Sequence, residues 1–269
     1  MSYTNDSKLI ILKLGGSAIT DKSRPLCPRT EVMKSLAREI SKLIHKNFRF
    51  ILIHGGGSFG HYVATSYGID RGETPYRGYI ETRIAMLRLN ELLCRYFSDA
   101  GIPIVPIHPS CIMIASNGIP SAIFIKPINV ALEAGYVPVL HGDVVLDISR
   151  SYSIISGDTL IDVLTDYIPT RLVIFGMDVD GIYDRDPSEV GAKLLTEISV
   201  SEIDNISGKV AYLDVTGGII TKLRVAKKLA AKGIEVVFLN IVKGGILTDF
   251  LSGKEVTATR VLINRKISP

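Results

Sequence analysis

The chain has 269 residues, 46% of them hydrophobic, and a formal charge of +4 from 31 basic and 27 acidic side chains. That length and apolar content suffice for a large buried core and exclude a disordered chain. The positive excess is small and spread along the sequence, so it offers no basic stripe for nucleic acid and suits a small polyanionic ligand equally well.

Lys8–Leu14 is a β-branched-rich run ending in Gly15-Gly16-Ser17, which predicts a buried strand feeding a tight turn. Thr30 is a cap candidate for a helix to about Lys46, because Met33, Leu36, Ala37, Ile40, Leu43 and Ile44 share one helical face. Arg49–Ile53 reads as a strand that runs into Ile51-Leu-Ile-His-Gly-Gly-Gly-Ser-Phe-Gly-His61, with a helix expected after the turn. A helix is expected over about Thr82–Ala100, a short strand at Ile104–Ile107, a helix at Asn129–Ala134 and a strand at Val137–Leu140. Val144–Asp147 and Ser153–Ile155 read as a hairpin, Asp158–Tyr167 as a helix and Arg171–Phe175 as a strand. Thr221–Lys232 is a predicted helix stopped by Gly233, followed by strands Glu235–Leu239 and Ala258–Ile263. Alternating strands and helices predict an α/β fold, a mostly parallel central sheet sandwiched between helices, as a single domain over residues 1–269. Cys27, Cys94 and Cys111 lack disulfide or metal spacing and read as buried or reduced thiols. With no leader pattern in Met1–Ser7 and no apolar run of about 18 residues, a cytoplasmic protein away from membranes is expected.

Four glycine-marked turns follow strand-like runs: Gly15-Gly16-Ser17, Gly55-Gly56-Gly57, Ser156-Gly157-Asp158 and Gly176-Met177-Asp178. Without a Cβ, glycine lets backbone N–H groups approach an anion closely, and in open α/β sheets ligands sit at the carboxyl ends of strands. Gly55-x-Gly57-x-x-Gly60 also satisfies the dinucleotide fingerprint, with Glu81 at roughly the spacing of its acidic partner. The stretch Tyr67–Arg83, rich in Gly, Tyr and charge, leads into a helix rather than a second strand, which sets that reading aside.

Lysines accompany the turns. Lys13 lies inside an apolar strand, where an unpaired ammonium is costly; Lys22 follows the first turn; Lys222 follows Thr216-Gly217-Gly218. Such cations can surround a transferring phosphoryl group, which needs positioning and neutralisation more than covalent help. Asp143, Asp158 and Asp178 are candidates to orient the lysines or to hold Mg²⁺ through water. His45, His54, His108 and His141 lack ligand spacing and read as structural. No Walker motif, protein-kinase set or Gly-x-Ser-x-Gly elbow occurs.

Lys13-Leu-Gly-Gly-Ser17, His54-Gly-Gly-Gly57, Gly176–Tyr183 with Asp186-Pro187, and Asp214-Val-Thr-Gly-Gly218 with Lys222 resemble the ordered motifs of the amino acid kinase superfamily over nearly the whole chain. Ser17-Ala-Ile-Thr-Asp-Lys22, Gly57-Ser-Phe-Gly-His61 and Ile155-Ser-Gly-Asp158 are similar, within it, to the isopentenyl phosphate kinases. The resemblance implies ATP and Mg²⁺ as cofactors, an isoprenoid monophosphate as substrate and a homodimer. It implies an acceptor half over about 1–165 and a nucleotide half over about 166–269. Lys13, Gly15, Gly16 and Ser17 would surround the ATP phosphates, with Lys22 and Lys222 facing them. Gly55, Gly60, His61 and Gly157 would hold the acceptor phosphate and Gly56 the transferred group. Asp178, Tyr183 and Gly218 would line the nucleotide, and Asp143 would orient the lysines. The acceptor tail would lie near Ile84, Met86, Leu87 and Leu89. Competing readings are a fosfomycin-like phosphonate kinase and a catalytically silent nucleotide-binding protein.

Overall fold

The computed structural model describes residues 9–71, 75–210 and 218–262. Its first elements are β1 (Leu9–Leu14), α1 (Gly16–Ile19), α2 (Thr30–Ile44), β2 (Arg49–His54), α3 (Gly57–Ser66) and α4 (Tyr76–Asp99). Next come β3 (Ile104–Pro106), α5 (Pro109–Ile112), β4 (Met113–Ser116), β5 (Ile119–Ile123), α6 (Lys126–Glu133), β6 (Val137–His141), β7 (Asp143–Asp147) and β8 (Ser151–Ile155). The remainder is α7 (Gly157–Leu164), β9 (Leu172–Met177), β10 (Ile182–Tyr183), β11 (Leu194–Leu195), β12 (Glu197–Ser199), α8 (Ile203–Val210), α9 (Gly218–Ala231), β13 (Glu235–Asn240), α10 (Ile246–Leu251) and β14 (Ala258–Leu262).

An eight-stranded sheet in the order β12-β14-β13-β9-β1-β2-β6-β3 runs through the molecule. Every pairing in it is parallel except β13 with β14. Side chains alternate between its faces. Leu9, Ile11, Ile51, Ile53, Val173 and Phe175 face one core, covered by Leu160, Leu164, Leu223 and Leu229 of α7 and α9. Ile10, Leu12, Phe50, Leu52 and Ile174 face the other, covered by Leu36 and Ile40 of α2, Leu93 and Phe97 of α4, and Phe250 of α10. Both faces of the central strands are therefore buried, which explains their nearly continuous apolar runs.

A second sheet, β5-β4-β7-β8, contains the expected hairpin and a β4–β5 hairpin that the sequence pattern did not indicate. Several helix boundaries differ from expectation: α6 begins at Lys126 instead of Asn129, and α7 ends at Leu164 instead of Tyr167. Arg29, rather than Thr30, stands at the N-cap of α2; α4 begins at Tyr76 instead of Thr82; α9 begins at Gly218. Gly233, with φ of +79°, follows α9 in the left-handed conformation that ends helices. All three cysteines are free thiols, and Cys111 is exposed, not buried. Among the described residues no helix is long and apolar enough to cross a membrane.

Candidate active site

The Gly15, Gly55 and Gly176 turns meet because the parallel sheet continues past its strand ends as single hydrogen bonds that also reach Gly142, and the Ser156-Gly157-Asp158 turn lies against Gly142, where a Cβ would stand 3.3 Å from the Gly157 nitrogen. Gly15 N–H donates to the Gly176 carbonyl (2.8 Å), Gly55 N–H to that of Leu14 (2.9 Å), and Gly142 N–H to that of His54 (3.0 Å). The first two turns also interlock. A Cβ on Gly16 would stand 2.4 Å from the Gly57 nitrogen, so only glycine permits this approach. The buried Thr20 hydroxyl donates to the Gly16 carbonyl (2.7 Å) and accepts from Ser58 N–H (2.9 Å), fastening α1 to the start of α3. Ser58 in turn receives the N–H groups of Leu26 (3.1 Å) and Cys27 (3.1 Å), strapping down the loop that carries Lys22.

Around these turns lies a cavity of about 610 Å³. It brings together every residue singled out above for catalysis or phosphate binding: Lys13, Gly15, Gly16, Ser17 and Lys22 from the first turn, Gly55, Gly56, Gly60 and His61 from the second, and Asp143 and Gly157 from the β7–β8 sheet and α7. Asp178, Tyr183, Gly218 and Lys222 line it as well, and Ser17 Oγ donates to Asp178 Oδ1 at 2.8 Å. Asp214, Thr216 and Gly217 fall outside the described residues.

Lys13 is 5% exposed and its Nζ pairs with Asp158, at the start of α7, where Ser156 caps the helix by accepting from Thr159 N–H. Lys222 Nζ approaches the same carboxylate at 3.6 Å and donates to the Gly218 carbonyl at 3.0 Å. Burial lowers Lys13 from its ordinary 10.5 to about 8, with Lys222 adding to the fall and Asp158 opposing it. Burial would raise Asp158, but the two lysine charges overcome that and hold it below its usual value. The carboxylate that orients the lysines is therefore Asp158. Asp143, expected in that part, instead accepts the N–H groups of Ser110 (3.0 Å) and Val144 (2.9 Å) at the cavity edge.

At its far end the cavity turns apolar, with Ala64 of α3, Met86 of α4, Val144 of β7 and Ile154 of β8. Of the four α4 side chains named above, Met86 lines the cavity. Ile84 is exposed, Leu87 is half-buried and Leu89 is fully buried among Leu93 and Phe97; none of the three lines the cavity. Helical phase separates them: Thr82 and Met86 lie four residues apart on the wall, and the intervening positions rotate away. Arg185, Thr20 and Ser58 were not singled out from the sequence. Arg185 lines the cavity near Asp186-Pro187, and only the fold reveals it.

His54, His108 and His141 come together because β2 and β6 pair, but among the described residues no group of three His, Cys, Asp or Glu side chains is arranged to hold a metal ion. Asp158 is engaged by lysines and Asp178 by Ser17.

A sheet whose strand ends carry glycine turns, three lysines and one lysine-clamped carboxylate defines a phosphoryl-transfer site. The chain belongs to the amino acid kinase family, whose model matches residues 8–240. It is 38% identical over 266 residues to the isopentenyl phosphate kinase of Methanothermobacter thermautotrophicus, covering 94% of this chain and 98% of that one. The isopentenyl phosphate kinase of Methanocaldococcus jannaschii is 33% identical over 238 residues, covering 84% and 89%. A solved isopentenyl phosphate kinase structure superposes with a TM-score of 0.80 at 34% identity, over 94% of this chain and all of that one.

Proposed function

We propose that this kinase transfers the γ-phosphoryl group of ATP to isopentenyl phosphate, giving isopentenyl diphosphate and ADP. The observation that carries the reading is the junction of two unlike surfaces in one cavity. A glycine turn with His61 lies beside an apolar wall of Ala64, Met86, Val144 and Ile154, matching a phosphate head on a short hydrocarbon tail.

His61, Gly55, Gly60 and Gly157 hold the acceptor phosphate. Lys13, Lys22, Lys222 and the Gly15-Gly16-Ser17 turn hold the ATP phosphates, with Gly56 at the group in transit. Asp178, Tyr183 and Gly218 line the nucleotide, whose half is about 166–269; about 1–165 holds the acceptor. A phosphate monoester has a second pKa near 6, so the attacking oxygen is already an anion at neutral pH and needs no base. That oxygen forms the new bond to the γ-phosphorus as the bond to the β,γ-bridging oxygen breaks, and ADP carries off the electron pair. The lysines neutralise charge that spreads over the equatorial oxygens in flight. Asp158 keeps Lys13 and Lys222 aimed. Mg²⁺ would enter with ATP and neutralise part of the phosphate charge alongside Lys13, Lys22 and Lys222.

The test is ATP consumption against a panel of isopentenyl phosphate, other alkyl monophosphates and fosfomycin. Turnover of isopentenyl phosphate well above the rest is expected; preference for the phosphonate would overturn the assignment. With this reading go a cytoplasmic setting and a homodimer, and light scattering that reports a monomer would remove the latter.

A further inference from the structure

Two buried histidines lie beneath the glycine turns without taking part in the transfer described above. His54 ends β2 and His141 ends β6; the strands pair with these residues opposite each other, so their ring centroids stand 5.3 Å apart. Both side chains are fully buried. Each makes the same unusual contact with the residue that follows it. Nδ1 of His54 is 3.1 Å from the Gly55 carbonyl oxygen, and Nδ1 of His141 is 2.9 Å from the Gly142 carbonyl oxygen.

A carbonyl only accepts, so both Nδ1 atoms carry the hydrogen. Burial lowers both imidazoles, His54 to about 3, so at neutral pH each is uncharged and its Nε2 is an acceptor. The neighbour of His141 matches that tautomer. His108 Nδ1 donates to His141 Nε2 at 3.1 Å; at His54 the atom 3.1 Å from Nε2 is Asn90 Oδ1, itself an acceptor, so the Nδ1–H form requires the Asn90 carboxamide turned end for end with its NH2 toward Nε2.

In a trans peptide the C=O and N–H point in opposite directions. Drawing the Gly55 carbonyl toward the buried imidazole therefore turns the Gly56 N–H the other way, toward the cavity that Gly55 and Gly56 border. Nothing in a Gly-Gly-Gly run would hold one peptide orientation unaided, because each glycine has wide backbone freedom. We infer that His54, through its Nδ1–H bond to the Gly55 carbonyl, is a positioning residue that keeps the Gly56 N–H aimed at the phosphoryl group in transit, with His141 acting likewise on the Gly142–Asp143 peptide. This rests on the proposed kinase reading for what Gly56 meets, but not for the tautomer or the peptide orientation.

Asparagine and glutamine separate the alternatives. His54→Asn places an amide NH2 where the imidazole Nδ1 stands, whereas His54→Gln places it where Nε2 stands. The expected result is that His54→Gln lowers kcat for ATP and isopentenyl phosphate on the order of 10–100-fold, while His54→Asn stays within a few-fold of wild type, with acceptor KM little changed in both. Equal kcat in the two folded variants would overturn the assignment. Should either variant fail to fold, His141→Asn and His141→Gln ask the same question at the neighbouring turn. Long-range ¹H–¹⁵N NMR of the wild-type imidazoles reads the tautomer directly: an Nδ1–H resonance for His54 is expected, and an Nε2–H tautomer overturns the proposal whatever the variants do. A wild type that shows the Nδ1–H tautomer without turning over isopentenyl phosphate would instead overturn the kinase reading.

Discussion

The two ends of the cavity are built in opposite ways. At the lysine end, position is over-determined: Lys13 leaves a buried strand, meets Asp158 at a capped helix start, and shares that carboxylate with Lys222. Backbone hydrogen bonds then tie the Gly15, Gly55 and Gly142 turns to their neighbours. At the other end the wall is apolar, and its shape comes from how Ala64, Met86, Val144 and Ile154 pack. Met86 is its most adaptable member, a flexible thioether lying so close to α3 that a Cβ on Gly60 would stand 2.6 Å from its sulfur. Chemistry is thus anchored to the backbone and acceptor choice to side chains. Substitutions at the first end should change rate, and those at the second should change preference.

Lys13→Met offers the sharpest break at the rigid end, because it keeps length and removes charge. A fall in kcat of about 10³-fold is expected, the scale for deleting a preorganised electrostatic group. Melting temperature should change far less, since Lys222 remains beside Asp158. Lys22→Ala and Lys222→Ala should be milder and also act chiefly on kcat. Single-turnover rates beside thermal melts check this, and an active Lys13→Met enzyme would reduce the buried lysine to a structural part.

On the proposed reading His61 holds the acceptor phosphate, so its loss should register in both parameters. His61→Ala removes a charge-assisted donor to phosphate, a contribution of about 1.5–3 kcal/mol. A fall of roughly 10- to 150-fold in kcat/KM for isopentenyl phosphate follows, shared between a higher KM and a lower kcat. His61→Asn or His61→Gln should recover part of it. Unchanged kinetics in the alanine variant would move the acceptor phosphate elsewhere.

The rigid end was the more legible in the sequence, for a physical reason. Continuous apolar runs ending in glycine and a lysine inside a strand are local signals, and β1, β2, β6, β9 and β13 appear where those runs lie. Choosing the carboxylate that meets the lysines is not local: Lys13 and Asp158 are 145 residues apart, and Asp143 and Asp158 sit in comparable turns. The apolar wall was harder still. Ala64, Val144 and Ile154 come from α3, β7 and β8, and no periodicity within one segment shows that they face Met86. On α4 itself the start at Tyr76 was hidden because Tyr-Arg-Gly-Tyr carries no apolar period, and the tail-facing positions were spread over Ile84, Leu87 and Leu89. The β4–β5 hairpin escaped because exposed Ile114 and Ile119 blur its alternation.

At the adaptable end Met86→Ala should open room for further methylenes, each contributing about 0.8 kcal/mol on burial. The ratio of kcat/KM for geranyl phosphate over isopentenyl phosphate is expected to rise by about one to two orders of magnitude. Ile84→Ala, on the exposed face of α4, should leave the ratio unchanged and serves as the control. A ratio that moves in Ile84→Ala and not in Met86→Ala would place the tail on the other side of the helix.

The smallest effect expected is a pH signature that belongs to the rigid end alone. Burial places Lys13 near 8 in the free enzyme, so kcat/KM for ATP should decline above that pH as the ammonium is lost. Asp158 opposes the depression, so Asp158→Asn should carry the decline to lower pH, beyond its loss of rate. Folding stability should respond in the opposite sense. Between about 8 and the ordinary 10.5 the unfolded chain binds a proton at Lys13 that the folded chain has released, so this group's contribution to stability rises with pH across that window. Denaturant unfolding of wild type and Lys13→Met isolates it: the stability of wild type relative to the variant should increase from about pH 8 to about pH 10 while ATP turnover falls. A wild-type enzyme that loses stability relative to Lys13→Met over that range would mean that Asp158 and the phosphate-binding surface stabilise the charged lysine more than burial penalises it, and the alkaline limb of activity would then have another origin.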